Sequence, residues 1–165
     1  MKTTELIAQH ITEVFEGGNW TDVNMRATLR NINYKEATAV TKASYNTIAA
    51  LVYHISFYNE IVLKRLQGIN PIIASSNGFD LPPLKNEEDW IKLKERCFQS
   101  AHSLAAAVIK FPEEKLRELT VTGHSTHYKT LHGIAEHAHY HLGQIVLLKK
   151  LVKNPAPQFA MSSSL

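Results

Sequence analysis

Three histidines stand at alternate positions in the segment IAEHAHYHLGQ, which runs from Ile134 to Gln144. Alternation by two is the period of a strand, but the flanking residues repeat their apolar side chains with the period of a helix. At about 100° of rotation per residue, His137 and His141 lie within about 40° of each other, near the centre of the buried side of such a helix. His139 falls roughly opposite, on the side that we expect to face solvent.

Two histidines one helical turn apart can bind the same metal ion, because their imidazoles project from one face of the helix. A single histidine on an apolar face is more often a hydrogen-bonded core residue than a ligand. Two imidazoles buried side by side leave several polar nitrogens to satisfy, and one metal ion satisfies a nitrogen on each ring. We therefore predict that His137 and His141 are metal ligands.

A third ligand is expected from another helix, because two histidines rarely complete a metal site. His54 is the best candidate, since it lies in the wide apolar sector of the most apolar helical segment, where an unpaired imidazole would be costly. His10 also falls on the apolar side of its helix and is either a fourth ligand or an ordinary core residue. Gln144 and Tyr58 each lie one turn beyond a candidate ligand, where an amide or a hydroxyl either contacts a bound molecule or packs in the core.

Four long predicted helices must position these residues, since no segment of comparable length alternates as a strand does. They cover approximately residues 4–16, 46–68, 86–110 and 128–153. Asn46 and Asn86 are the expected N-caps of the second and third helices. The first connection is long, contains two short helical segments near residues 23–30 and 34–40, and carries Trp20, which either lines a site, anchors a dimer or is simply buried. These features predict an all-α fold, a four-helix bundle with long crossover connections.

The composition is that of an ordinary soluble protein, with 165 residues of which 44% are hydrophobic and 20% charged. We expect one helical domain over residues 1–153, followed by a tail, residues 154–165, that is disordered or packs on a partner. A net charge of only +3 with dispersed basic residues argues against nucleic-acid binding. The chain has no apolar run of the ~20 residues that a membrane span needs. The amphipathic N-terminus and the single cysteine, Cys97, then predict a cytoplasmic protein.

Two segments, NTIAALVYHISFYNEIVLKRLQG and LHGIAEHAHYHLGQIVLLKK, resemble the DinB/YfiT-like family of bacterial metal-dependent proteins, the second through its H-x-x-x-H-x-G-Q arrangement. The resemblance covers most of the chain. It implies a four-helix bundle in which His54, His137 and His141 bind a divalent metal, often nickel or zinc, with open or water-filled positions. It also implies a homodimer, and some relatives transfer low-molecular-weight thiols such as bacillithiol or use mycothiol in maleylpyruvate isomerisation.

Three functional hypotheses follow, in decreasing order of preference. The first is a metal-dependent enzyme, a thiol transferase or a hydrolase, that acts on a small-molecule substrate through a metal-bound thiol or water, because three neutral ligands leave the full charge on the ion. The second is a non-catalytic bundle that binds a metal or a small ligand, for example a stress-related protein. The third is a structural bundle whose core histidines are merely hydrogen-bonded.

Overall fold

The protein is all-α in the computed structural model, which describes residues 1–154 and contains no strand in that range. Its helices are α1 (Thr3–Glu16), α2 (Met25–Leu29), α3 (Tyr34–Thr38), α4 (Ile48–Leu66), α5 (Glu87–Lys110) and α6 (His127–Lys153), with a short 3₁₀ segment at Glu113–Arg117. The four long predicted helices and the two short ones all form. The predicted tail lies outside the described residues, apart from Asn154.

Side-chain caps set where the long helices begin. The Asn86 side chain accepts a hydrogen bond from the backbone N–H of Asp89 at 3.0 Å, as the sequence predicts for the start of α5. The prediction for α4 was wrong by one residue, because Thr47, and not Asn46, is its N-cap. The Thr47 hydroxyl accepts from the backbone N–H of Ala50 at 3.1 Å.

The long helices pack in an order that differs from their order along the chain. α5 and α6 each contact both α1 and α4. The connection from α1 to α4 therefore does not join the two members of a tight antiparallel pair, and its length of about thirty residues includes the short helices α2 and α3. A long crossover is the expected connection for such an arrangement.

A stripe of α5 lies at the centre of the core. Trp90 is fully buried, and its indole N–H donates a hydrogen bond to the backbone carbonyl of Ile32 at 2.7 Å. The apolar residues that recur with the helical period along α5 are all buried, namely Trp90, Leu93, Cys97, Ala101, Leu104 and Val108. Burial raises the pKa of the Cys97 thiol to about 12, so this thiol is protonated and inert at neutral pH.

α6 is covered on two sides. It packs against α4 on one side and against α1 and α2 on another, so both sides carry buried residues. At 27 residues it is the longest helix, yet neither it nor any other helix within residues 1–154 combines the length and hydrophobicity needed to cross a membrane.

Candidate metal centre

The imidazoles of His54, His137 and His141 meet between α4 and α6. The Nε2 atom of His137 lies 3.0 Å from Nε2 of His54 and 3.1 Å from Nε2 of His141. Three imidazole nitrogens bound tetrahedrally to one ion at about 2.0–2.1 Å are spaced about 3.3 Å apart. The three side chains therefore form a group that could hold a metal ion, as the i, i+4 spacing on α6 and the apolar sector of α4 predict.

Hydrogen bonds to the far side of two rings orient their lone pairs. Nδ1 of His54 lies 3.0 Å from the backbone oxygen of Asn77, which can only accept, so Nδ1 carries the proton. Nδ1 of His141 donates in the same way to the side-chain oxygen of Gln144 at 2.7 Å. In the neutral state each ring then has an unprotonated Nε2, and both of these atoms face His137.

His137 cannot satisfy both neighbours by itself. A neutral imidazole with its proton on Nε2 can donate to one facing lone pair, and the second lone pair is then left without a donor. Its Nδ1 is buried and has no hydrogen-bond partner among the described residues. An ion at the centre removes the conflict, because it accepts a lone pair from all three Nε2 atoms.

Burial keeps these rings neutral. Loss of solvation is the largest cause that lowers the pKa of His54, from the ordinary value of 6.5 to about 4, and the neighbouring His141 lowers it further. The pKa of His137 is lowered to about 4, first by burial and then by its two histidine neighbours. Burial also lowers the pKa of His141, although the hydrogen bond to Gln144 opposes this shift. At neutral pH all three imidazoles are in the form that binds metal.

Aromatic rings surround the group. Phe79 stacks on His54, with ring centroids 4.0 Å apart and planes inclined by 16°. The ring of Tyr58 lies 5.0 Å from those of both His54 and His137. The Tyr58 hydroxyl donates to the side-chain oxygen of Asn77, so it supports the loop that holds His54.

Two other residues of α6 beside the ligands have different environments. Gln144 lies behind His141 and bonds its Nδ1, which agrees with an orienting amide. Tyr140 is 66% exposed, and its ring lies 5.0 Å from that of His141. Tyr140 therefore lies at the outer edge of the group and does not belong to the core.

Sequence reasoning missed Asn77 and Phe79, which lie in the loop between α4 and α5. The Asn77–Gly78 pair is a recognisable turn signal, and both residues have positive φ, of 52° and 74°. The pattern predicts a turn but carries no information about its partner. The contact with His54 spans 23 positions and depends on how the loop folds back onto α4.

His139 is half-buried and does not face open solvent, so that prediction was wrong. Its Nε2 atom is buried with no hydrogen-bond partner among the described residues, and its ring centroid lies 5.8 Å from that of His10. The helical wheel correctly separated His139 from His137 and His141, but α1 packs on that side of α6 and covers it. His10 is thus next to His139 and also 6.5 Å from the ring of His132, and it is not a member of the three-histidine group.

Trp20, in the connection between α1 and α2, lies next to the side of α6 that carries His139. It lines a cavity of about 630 Å³ together with His10, His139 and Leu142. The Trp20 side chain is 98% exposed, so the alternative of simple burial within the chain was wrong. The cavity is bordered by the His10–His139 pair and not by the three-histidine group.

Comparisons of the chain with models of protein families, with curated proteins and with solved structures found no match. The resemblance to DinB/YfiT-like proteins therefore stays a prediction from the sequence segments that carry it. The three converging Nε2 atoms are the structural observation on which a functional assignment can be built.

Proposed function

We propose that the protein binds one divalent metal ion through Nε2 of His54, His137 and His141, and that it is a metal-dependent enzyme. The observation that supports this proposal is the convergence of three nitrogens, of which Nε2 of His54 and Nε2 of His141 lie 3.0 Å and 3.1 Å from Nε2 of His137. The lone pairs of His54 and His141 are oriented by hydrogen bonds on the opposite side of each ring. The three neutral imidazoles fit nickel or zinc, which both accept nitrogen ligands. No fourth protein ligand joins this group among the described residues, which favours a position open to solvent or substrate.

A dipositive ion held by three neutral ligands would act as a Lewis acid, lowering the pKa of a bound water to about 7 and deprotonating a bound thiol. The side chains of the protein would supply the surroundings of this reaction. Asn77 and Gln144 orient two ligands, and the rings of Phe79 and Tyr58 cover the α4 side of the group.

The reaction that we propose is the transfer of a low-molecular-weight thiol to an electrophilic small molecule, or the hydrolysis of a small substrate. In the transfer, the thiol sulfur bonds to an electrophilic carbon, the leaving group departs with its electron pair, and the thiol proton passes to solvent. The resemblance to the DinB/YfiT-like family supports this class, as does the packing of α5 and α6 against both α1 and α4, which suits a four-helix bundle with long crossovers. The small-molecule substrate, a homodimer and a cytoplasmic location are further parts of the proposal, and they rest on the sequence alone.

Metal analysis tests the site directly. The protein, purified without an affinity tag, should contain about one divalent ion per chain after exposure to nickel or zinc and removal of excess metal. A His137→Ala, His141→Ala double variant should contain none. The matched control is His10→Ala, His139→Ala, which removes one histidine from α1 and one from α6 and should keep the ion. Equal metal content in both double variants would contradict the assignment of His137 and His141 as metal ligands.

The alternative is a non-catalytic bundle that binds a metal or a small ligand. One observation favours it: the Tyr58 hydroxyl is already bonded to Asn77, and no carboxylate from the described residues belongs to the histidine group. Cobalt substitution separates the two functions, because a thiol that enters an open position produces a sulfur-to-cobalt absorption band. Turnover of an electrophile with that thiol would favour the enzyme, and a cobalt spectrum that no thiol or small anion changes would favour the closed binding site.

A further inference from the structure

The turn formed by Asn77, Gly78 and Phe79, which we call the 77–79 turn, contacts His54 on two sides. The backbone oxygen of Asn77 accepts a hydrogen bond from Nδ1 of His54 at 3.0 Å. The Phe79 ring stacks on the same imidazole at 4.0 Å. The Tyr58 hydroxyl donates to the Asn77 side chain and so ties the turn to α4. Asn77 thus contacts the edge of the His54 ring, and Phe79 contacts its face.

The backbone of this turn has little freedom to move. Two turn hydrogen bonds, from the N–H of Asn77 to the carbonyl of Ala74 and from the N–H of Phe79 to the carbonyl of Ser76, are each 2.9 Å long. Gly78 is buried and has a φ of +74°, which disfavours residues other than glycine. A Cβ atom at position 78 would lie 2.5 Å from Cδ1 of Phe57 on α4, which is too close for any carbon contact. The turn therefore keeps its place only while residue 78 carries no side chain that meets Phe57.

We propose that the 77–79 turn is a positioning element that fixes the tautomer and the orientation of His54, so that its Nε2 lone pair faces His137 and His141. Asn77, Gly78 and Phe79 are positioning residues in this scheme, because none of them contacts the ion site itself. The proposal rests on the metal-binding function proposed above, but the tautomer is a property of the metal-free protein and can be measured separately.

His54 needs such a turn because imidazole has two nitrogens of similar basicity. A neutral histidine can carry its proton on either nitrogen, and only the form protonated on Nδ1 offers Nε2 to a metal. An acceptor fixed beside Nδ1 selects that form. A stacked ring on the imidazole face hinders rotation, which would move Nε2 away from His137. The Asn77 carbonyl on a rigid turn and the Phe79 ring two residues later provide both restraints.

The test uses two glycines of matched conformation. Gly78→Ala introduces a clash with Phe57. Gly123→Ala has almost the same φ, +72°, and its added Cβ meets no atom of the described residues within 4 Å. In the metal-free protein, the nitrogen chemical shifts of His54 should report the Nδ1–H tautomer in the wild type and in Gly123→Ala, and a mixture in Gly78→Ala. The Kd for zinc should rise about tenfold to a hundredfold in Gly78→Ala and stay within about twofold in Gly123→Ala.

A rescue variant distinguishes positioning from general loss of structure. Phe57→Ala makes room for the added methyl group, so Gly78→Ala, Phe57→Ala should recover the Nδ1–H tautomer and most of the zinc affinity. Phe57→Ala alone should leave both unchanged. If Gly78→Ala does not fold, Phe79→Leu serves instead, because it removes the stacked ring and leaves the turn backbone intact. It should speed zinc dissociation several-fold.

The outcomes separate the two proposals. A wild type with the Nδ1–H tautomer that binds no zinc or nickel would contradict the proposed function and leave the positioning role supported. A wild type that binds zinc, with Gly78→Ala and Phe79→Leu matching Gly123→Ala in both tautomer and Kd, would overturn the positioning role. A His54 protonated on Nε2 in the metal-free wild type would overturn it as well.

Discussion

Two groups of histidines lie on opposite sides of α6, and they differ in how their nitrogens are used. In the group of His54, His137 and His141, the Nε2 atoms of His54 and His141 both lie within hydrogen-bonding distance of Nε2 of His137. In the group around His10 and His139, the ring centroids are 5.8 Å apart, and Nε2 of His139 is buried with no hydrogen-bond partner within residues 1–154. The same helix therefore presents both an organised and an unorganised set of imidazoles.

The difference lies mainly in what the second nitrogen of each ring meets. His54 and His141 each donate from Nδ1 to an oxygen, and the other nitrogen of each faces His137. His139 also has an acceptor, the backbone carbonyl of Ala135, which opposes the lowering of its pKa by burial and by the charge of His10. Its Nε2 atom, however, meets no hydrogen-bond partner among the described residues. An acceptor behind the ring is thus not sufficient, and a ligand set also needs nitrogens that face one another.

Removal of His54 should have the largest effect on zinc binding. His54→Ala deletes the ligand from α4 and should weaken zinc binding by at least about a hundredfold, whereas His10→Ala should change it by no more than about twofold. At zinc concentrations about 100 times the wild-type Kd, bound metal should add about 2.7 kcal/mol to the free energy of unfolding of the wild type and of His10→Ala. Denaturation with and without zinc measures this increment, and equal increments in His54→Ala would show that the ion binds elsewhere.

Acid should destabilise the metal-free protein through the same group. The folded-state pKa values of His54 and His137 are about 4, below the ordinary value of 6.5 in an unfolded chain. Between these two pH values the unfolded state therefore binds more protons than the folded state. The histidines therefore oppose folding increasingly as the pH falls from about 6.5 to about 4. We expect a loss of roughly 2–4 kcal/mol over this window, allowing for the partial exposure of His137.

Urea unfolding at several pH values in the presence of a chelator measures that loss. The His137→Ala, His141→Ala variant should have a clearly shallower dependence on pH, because two of the three depressed groups are absent. An unchanged slope in that variant would mean that the acid sensitivity arises in other residues, such as the His10–His139 side of α6.

Removal of the acceptor behind His141 should have an intermediate effect. Gln144→Leu leaves Nδ1 of His141 without its oxygen partner and should raise the Kd for zinc about tenfold. Gln144→Glu keeps an acceptor oxygen at that position and should bind zinc at least as well as the wild type. Competition with a chromophoric chelator measures both values, and equal weakening in the two variants would point to lost packing instead of a lost acceptor.

The smallest effect on metal is expected for His139. His139→Leu should leave the Kd for zinc within about twofold of the wild type. It should keep or raise the free energy of unfolding, by up to about 1 kcal/mol, because it removes a buried nitrogen that has no hydrogen-bond partner in the described part of the chain. A large loss of metal in this variant would contradict the separation of the two histidine groups.

Several features could be predicted from local sequence because they depend on local geometry. The i, i+4 spacing places His137 and His141 on one face of any α-helix, and Asn86 before three acidic residues predicts the start of α5. The buried stripe of α5 follows from the period of its apolar residues. Each of these inferences needs only the helix itself, and each agrees with the structure.

The failures occurred where a second element decides the environment. A helical wheel ranks the sides of α6 relative to one another, but it cannot show that α1 covers the side of His139. The wheel also could not find Asn77. Every residue has a backbone oxygen, so the residue type does not mark this acceptor, and its partner His54 is 23 positions away. Similarly, Trp20 borders a cavity with His10 and His139 only because the first crossover returns to α6.

The sequence by itself determined the helices, the histidine pair on α6 and the inward direction of His54, since these follow from the rotation and rise of a helix. Only the tertiary structure decided that Nε2 of His54 lies 3.0 Å from that of His137, and which nitrogen of His54 carries the proton. Those properties depend on the packing of α4 against α6 and on a turn folded onto α4. These are non-local contacts. Helical periodicity places a residue on a face, but only packing sets an interatomic distance to within a few tenths of an ångström and decides which hydrogen-bond partner a nitrogen meets.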